Sequence, residues 1–180
     1  MTLKEIRPLP RRPTWLEIDR TALAANLRLV RRLIGERRQL LAVVKANAYG
    51  HGAPAVASTL LNAGADRLAV ATLSEAIDLR EAGITAPILV LGYTPPWLAS
   101  EAVHYRITTT IFDQDVARAL AVAASAAGAP AIAHLKVNTG MNRLGLRPEA
   151  VLSFLTQIAG ERMLQIEGVF THFATADLAD

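Results

Sequence analysis

Between residues 40 and 170, short and almost wholly apolar runs alternate with helical stretches, and that alternation limits the fold more than any other feature. Strands are expected at 40–44, 68–71, 88–91, 107–110, 131–137 and 164–170. Helices are expected between them at 53–63, 73–82, 97–103, 114–127 and 148–159. Gly64, Gly83 and Gly128 stop three of these helices, and Pro148 opens the last. A strand that is apolar on both sides must be covered on both faces, which parallel pairing through crossover helices achieves. The fold class is therefore α/β. A repeat of roughly 20–35 residues suits a barrel or a doubly wound sheet. A closed (β/α)₈ barrel needs eight units and about 250 residues, so 180 residues are expected to hold about six of the eight, a partial TIM-type barrel.

Ahead of the repeats, residues 15–19 (WLEID) alternate apolar and charged side chains, as a short N-terminal strand would. Asp19 is placed to cap a helix from about 21 to 34, in which Leu23, Leu27, Val30 and Ile34 share a face before Gly35 ends it. Residues 1–13 (MTLKEIRPLPRRP) read as a flexible arm, and 14–180 as one barrel portion.

Cysteine is absent, which excludes disulfides, thiolate metal sites and a cysteine nucleophile, and suits a reducing cytoplasm. His51, His104 and His134 lack the spacing of a metal site, so no metal is expected. The early arginines, among them Arg28, Arg31, Arg32, Arg37 and Arg38, fall largely on or beside one helix. With 5% aromatic residues to interleave with them, a solvated helix face is expected and not a nucleic-acid surface. No apolar run approaches the length of about 18 residues that a membrane span needs.

In a barrel of this kind, function gathers where strands run into the loops that follow them. Those positions carry Lys45 and Tyr49, Thr72, Tyr93, Lys136 with Asn138, and Thr171 with His172. Lys45 closes an apolar strand, where desolvation would disfavour its ammonium form and make the amine a usable nucleophile. Schiff-base chemistry needs such a lysine, and pyridoxal phosphate is its commonest cofactor partner. Around Gly50 and Gly52 the backbone amides can approach an anion closely. Spacing alone leaves open a lysine that merely reaches from the strand end to water.

Three strings favour the functional reading. VVKANAYGHG at 43–52 resembles the cofactor-lysine signature of the alanine racemases. LKVNTGMNRLG at 135–145 is similar to that family's K-x-D-T-G-M-x-R-x-G segment, and GVFTHFATAD at 168–177 to its G-x-x-[ST]-H-F-A-x-A-D segment. The resemblance runs from about residue 13 to 180. It implies a fold-type III enzyme dependent on pyridoxal 5′-phosphate, with a C-terminal β domain in complete members. Such members are homodimers, soluble in the cytoplasm, that supply D-alanine for peptidoglycan. It also implies that Lys45 carries the cofactor as a Schiff base, Tyr49 helps hold the phosphate, and Arg143 sits beside the phenolic oxygen. His172 would belong to the network beside the ring. Lys136 would be the lysine that the family often carbamylates to steady that arginine. An aspartate is usual where this chain has Asn138, which removes a negative charge and admits a bound anion in place of the carbamate. The base for the opposite face would be a tyrosine of the partner subunit, in the part of the family pattern beyond residue 180. Alternatives are a racemase of serine or of a broader amino-acid range, or a non-catalytic cofactor-binding domain.

Overall fold

A computed structural model describes residues 14–177. The chain begins with α1 (Arg20–Ile34), capped by the Asp19 carboxylate, which accepts from the backbone N–H groups of Thr21 and Ala22. Next come β1 (Leu41–Val43), a short helical segment α2 (Lys45–Tyr49), α3 (Ala53–Asn62), β2 (Arg67–Val70), α4 (Leu73–Glu81) and β3 (Ile88–Tyr93). The remainder is α5 (Ala99–His104), β4 (Thr108–Ile111), α6 (Gln114–Ala127), β5 (Ala131–Lys136), α7 (Val151–Ile158) and β6 (Leu164–Phe170).

The six strands form one sheet in the order β1-β2-β3-β4-β5-β6, and every pair is parallel. Sequential order decides between the two architectures the repeat length allowed. A doubly wound sheet reverses its strand order at a switch point, whereas a barrel adds each strand beside the last. This sheet is also strongly curled. Arg67 on β2 forms a two-pronged ion pair with Glu167 on β6, at 2.7 and 2.5 Å, although three strands lie between. Inner-face side chains can meet in this way only if the sheet bends round a lumen.

A register shift between β5 and β6 aims Glu167 inward. Ala133 pairs with Ile166 and His134 with Gly168, which leaves Glu167 as the extra residue of a bulge. His134 Nε2 lies 3.3 Å from the same carboxylate, and Gly168 leaves room for its ring: a Cβ there would come within 2.9 Å of it. The outer face of β5 (Ala131, Ala133, Leu135) is buried with Phe154 and Ile158 of α7 in one apolar core.

Arg67, by hydrogen bonding, holds the Glu167 carboxyl down to about 2 against the opposing effect of burial, and His134 adds to the lowering. The depressed value means that this stabilisation is present above the ordinary value of 4.5 and is lost as pH falls toward about 2. The thermal midpoint of Glu167→Gln is therefore expected below that of the parent at pH 6. The two should converge between pH 4.5 and 2 in a melting series.

Several expectations are corrected. Residues 14–19 form no strand: Trp15 and Leu16 are 64% and 80% exposed, and no strand edge lies beside them among the described residues. Alternation alone cannot make a strand without a neighbour to accept its hydrogen bonds. The 148–159 helix begins as a separate 3₁₀ turn at Pro148–Ala150. The expected arm at 1–13 lies outside the described residues. Arg31, counted among the solvated arginines, bonds instead to Asp66 and to the carbonyls of Arg38 and Gly64, which ties α1 to the α3–β2 connection.

Candidate functional site

Because all six strands are parallel, their C-terminal ends share one rim. β1 ends there against β2, with the Val44 N–H donating to the Ala69 carbonyl at 2.8 Å, and Lys45 follows at once. The backbone then does something few non-glycine segments do. Ala46, Asn47, Ala48 and Tyr49 all adopt left-handed conformations, with φ of 51, 53, 53 and 55°. Such a turn costs about 1–2 kcal/mol per residue, so the surroundings must hold it. Glu75 Oε1 accepts from the Ala46 N–H at 2.6 Å, and Asn47 Oδ1 accepts from the Ala53 N–H at 2.8 Å. Ala48 is buried and its N–H donates to the Val44 carbonyl. Lys45 itself is only half-buried, so the expectation of a buried amine at the end of β1 is corrected.

The buried amine of the rim is Lys136, 5% exposed, at the end of β5. Burial disfavours its ammonium form, and the nearby charges of Arg143 and Lys45 push the same way, so its pKa lies below the ordinary 10.5. Its Nζ sits 5.2 Å from the Phe170 ring centroid. Arg143 returns to Lys136 from seven positions along because the intervening loop closes on itself. The Asn138 N–H donates to the Leu146 carbonyl at 2.7 Å, and the Leu146 N–H to the Lys136 carbonyl at 2.9 Å. Gly145 makes the closure possible: a Cβ there would lie 3.0 Å from the backbone of Lys136, Val137 and Asn138. Asn138 shapes the loop from within, accepting from the N–H groups of Gly140 and Asn142 while its own amide donates to the Asn142 side chain. An aspartate could accept the two backbone bonds but could not donate the third.

Lys136, Asn138, Met141, Arg143, Thr171 and His172 line one cleft. Thr171, after β6, ties the two walls together by donating to the Val137 carbonyl at 2.7 Å. Of the six residues to which the resemblance gives roles, the structure thus brings four (Lys136, Asn138, Arg143 and His172) into one lining, with Thr171 beside them. Lys45 lies close enough for its charge to bear on Lys136, and Tyr49 stands 61% exposed on the left-handed turn beside Lys45. Sequence reasoning missed Glu75. Its signal was the T-x-x-E spacing of Thr72 and Glu75, a capping box that the structure forms.

The chemistry of this donor set fits pyridoxal 5′-phosphate. Lys136 and Arg143 line the cleft with no carboxylate among its lining residues, and a third cation, Lys45, offers an amine. A ligand carrying a phenolic oxygen, a phosphate and an aldehyde answers all three. For the unmodified amine, Lys136→Met is expected to raise the thermal midpoint at pH 7, because it removes a buried charge. A lowered lysine pKa makes the penalty greatest below the folded value, so the gain should shrink as pH rises toward 10.5.

Residues 18–180 match the family described as "Alanine racemase, N-terminal domain". The alanine racemase of Desulforamulus reducens is 48% identical over 169 residues, covering 93% of this chain and 46% of that protein. Among solved structures, an alanine racemase of Clostridium difficile 630 superposes with a TM-score of 0.89 at 40% identity, covering 93% of this chain and 47% of the other. A histidine racemase from Leuconostoc mesenteroides superposes with a TM-score of 0.80 at 34% identity, covering 88% and 42%. This chain therefore spans about half the length of the relatives it matches. With a sequential parallel barrel sheet, the lysine-bearing turn and the closed arginine loop in register with that match, the chain belongs to the alanine racemase N-terminal domain family.

Proposed function

We propose that this chain forms the cofactor-bearing wall of an alanine racemase, interconverting L- and D-alanine with pyridoxal 5′-phosphate. The observation that carries the reading is the convergence of Lys45, Lys136 and Arg143 at the strand ends beside the lysine-bearing turn. The cofactor, when bound, supplies an aldehyde that takes up amines and a conjugated ring that delocalises charge from the α-carbon. Lys45 Nζ is the amine that holds the cofactor between turnovers. As a free amine it would take the α-proton from one face, or in the reverse direction give a proton to that face, with reprotonation or removal on the other face left to a second base. The Arg143 guanidinium, always charged, orients the phenolic oxygen, the Tyr49 hydroxyl meets the phosphate, and His172 closes the cleft beside the ring.

Lys136 is proposed to be carbamylated. Its neutral amine adds to the carbon of carbon dioxide, an N–C bond forms and one proton leaves. The resulting anion would lie between Lys45 and Arg143, where Asn138 supplies no charge of its own. A free amine with a bound inorganic anion is the alternative, and a carbamate signal after equilibration with ¹³C-bicarbonate separates the two.

The reading further includes a homodimer, whose second copy supplies the base for the opposite face, a cytoplasmic setting, and D-alanine passing to peptidoglycan. Alanine is favoured as substrate because relatives such as that of D. reducens, 48% identical, bear that name. The histidine racemase at 34% identity is the reason to assay serine and larger amino acids alongside it.

The test is exchange of the alanine α-hydrogen in deuterated water by the cofactor-loaded protein. Exchange with inversion supports the full reading. Exchange with retention would mean that only the Lys45 face carries a base, and no exchange would contradict the proposal.

A further inference from the structure

Four consecutive left-handed residues do not persist on their own, and the first N–H of the run has one hydrogen-bond partner among the described residues: the Glu75 carboxylate. Glu75 stands in the first turn of α4. Oε1 accepts from Ala46 at 2.6 Å, while Oε2 accepts from Ala71 at 2.7 Å and from Thr72 at 3.2 Å. One carboxylate thus joins the lysine-bearing turn after β1 to the end of β2 and the start of α4. A carboxylate only accepts, so three converging N–H donors suit it, and charge assistance strengthens each bond. Helix capping accounts for the contact to Thr72. It does not account for Oε1, which reaches out of its own helix to the residue after Lys45.

We infer that Glu75 is the positioning residue of Lys45: its carboxylate anchors the Ala46 N–H to the β2–α4 junction, and so fixes the turn that presents the Lys45 amine at the rim. The inference rests on the proposed role of Lys45 as the cofactor-bearing amine. Glu75 makes no hydrogen bond or ion pair with Lys45 Nζ and is not among the residues lining the cleft, so its effect is transmitted through backbone.

Two variants separate anchoring from capping. Glu75→Gln keeps the shape of the side chain but replaces one acceptor oxygen by an NH₂ group facing an N–H donor and removes the charge that strengthens the bonds, so the Ala46 contact weakens in either orientation of the amide. Thr72→Ala removes the hydroxyl that caps α4 and leaves the carboxylate free to hold Ala46. The readout is amide hydrogen exchange, residue by residue, in the cofactor-free protein. In Glu75→Gln the Ala46 amide is expected to exchange at least ~10-fold faster, and in Thr72→Ala only the first turn of α4 should loosen. Labelling of Lys45 by pyridoxal phosphate and borohydride should slow by a similar factor in Glu75→Gln alone.

Unchanged exchange at Ala46 in Glu75→Gln, or equal loosening in Thr72→Ala, would overturn the inference. If Glu75→Gln does not fold, the parent protein decides: the Ala46 amide must be protected at least ~10-fold relative to an unstructured peptide, and an unprotected amide refutes the anchor. The two readings fail separately. Faster exchange in Glu75→Gln with no label on Lys45 in the parent would leave the anchor standing and remove the cofactor role.

Discussion

Lys45→Ala is expected to lower racemisation of alanine by at least about 10³-fold, the range over which a positioned acid–base group contributes. The loss has two parts, since in the proposed function the same amine attaches the cofactor and takes the proton on its face. Neither part should cost much stability. Lys45 is half-buried, makes no side-chain hydrogen bond among the described residues, and precedes the left-handed run instead of belonging to it. D-alanine formation and the thermal midpoint, measured together, check this: activity should collapse while the midpoint stays within a few degrees. A small primary amine added to the variant should restore part of the exchange, because it replaces the missing group without the tether. Activity within about tenfold of the parent would place the base elsewhere.

The largest effect on stability is expected from Gly92→Ala. Gly92 lies near the end of β3, where its N–H donates to the Ala71 carbonyl at 3.1 Å. A Cβ at this position would sit 2.4 Å from that carbonyl oxygen, which belongs to the backbone and cannot rotate away. The register between β3 and β4 also shifts here, with Val90 opposite Thr109 but Tyr93 opposite Thr110. Relief requires β2 and β3 to separate at the rim. A loss of about 3 kcal/mol or more is expected, which for a chain of this length is a fall of roughly 6–12 °C in the midpoint. Gly160→Ala is the control, since a Cβ there meets nothing and its φ is not positive; its midpoint should hardly move. A Gly92→Ala protein melting with the parent would mean that β2 and β3 are farther apart than the structure has them.

Much of this was legible beforehand, for definite reasons. Glycine after a helix and an apolar run between helices are local signals, and the bounds of α6 and β6 follow from them directly. Motifs point to Lys136, Asn138, Arg143 and His172, and they share a cleft because the strands that lead into them are neighbours in the sheet. What local signals cannot carry is contact between distant segments. WLEID has the alternation of a strand, yet the required neighbour is a property of the fold and not of those five residues. The depth of Lys45 escapes local signals for the same reason. Lys45 and Lys136 both close apolar strands, but Lys136 is covered by its own returning loop and by Phe170, whereas Lys45 is lifted by a left-handed turn. Alanine, asparagine and tyrosine do not announce φ above zero, and so the turn itself was not foreseeable. Glu75 was readable as a cap, but its reach to Ala46 was not.

The most direct test of the central claim is reduction of the pyridoxal phosphate complex with borohydride, followed by peptide mapping. One label per chain is expected, on Lys45, with Lys136 unlabelled although it is the more buried amine. Label on Lys136, or label scattered over Lys4 and the N-terminal amine, would contradict the assignment of Lys45 as the amine that this rim is built to present.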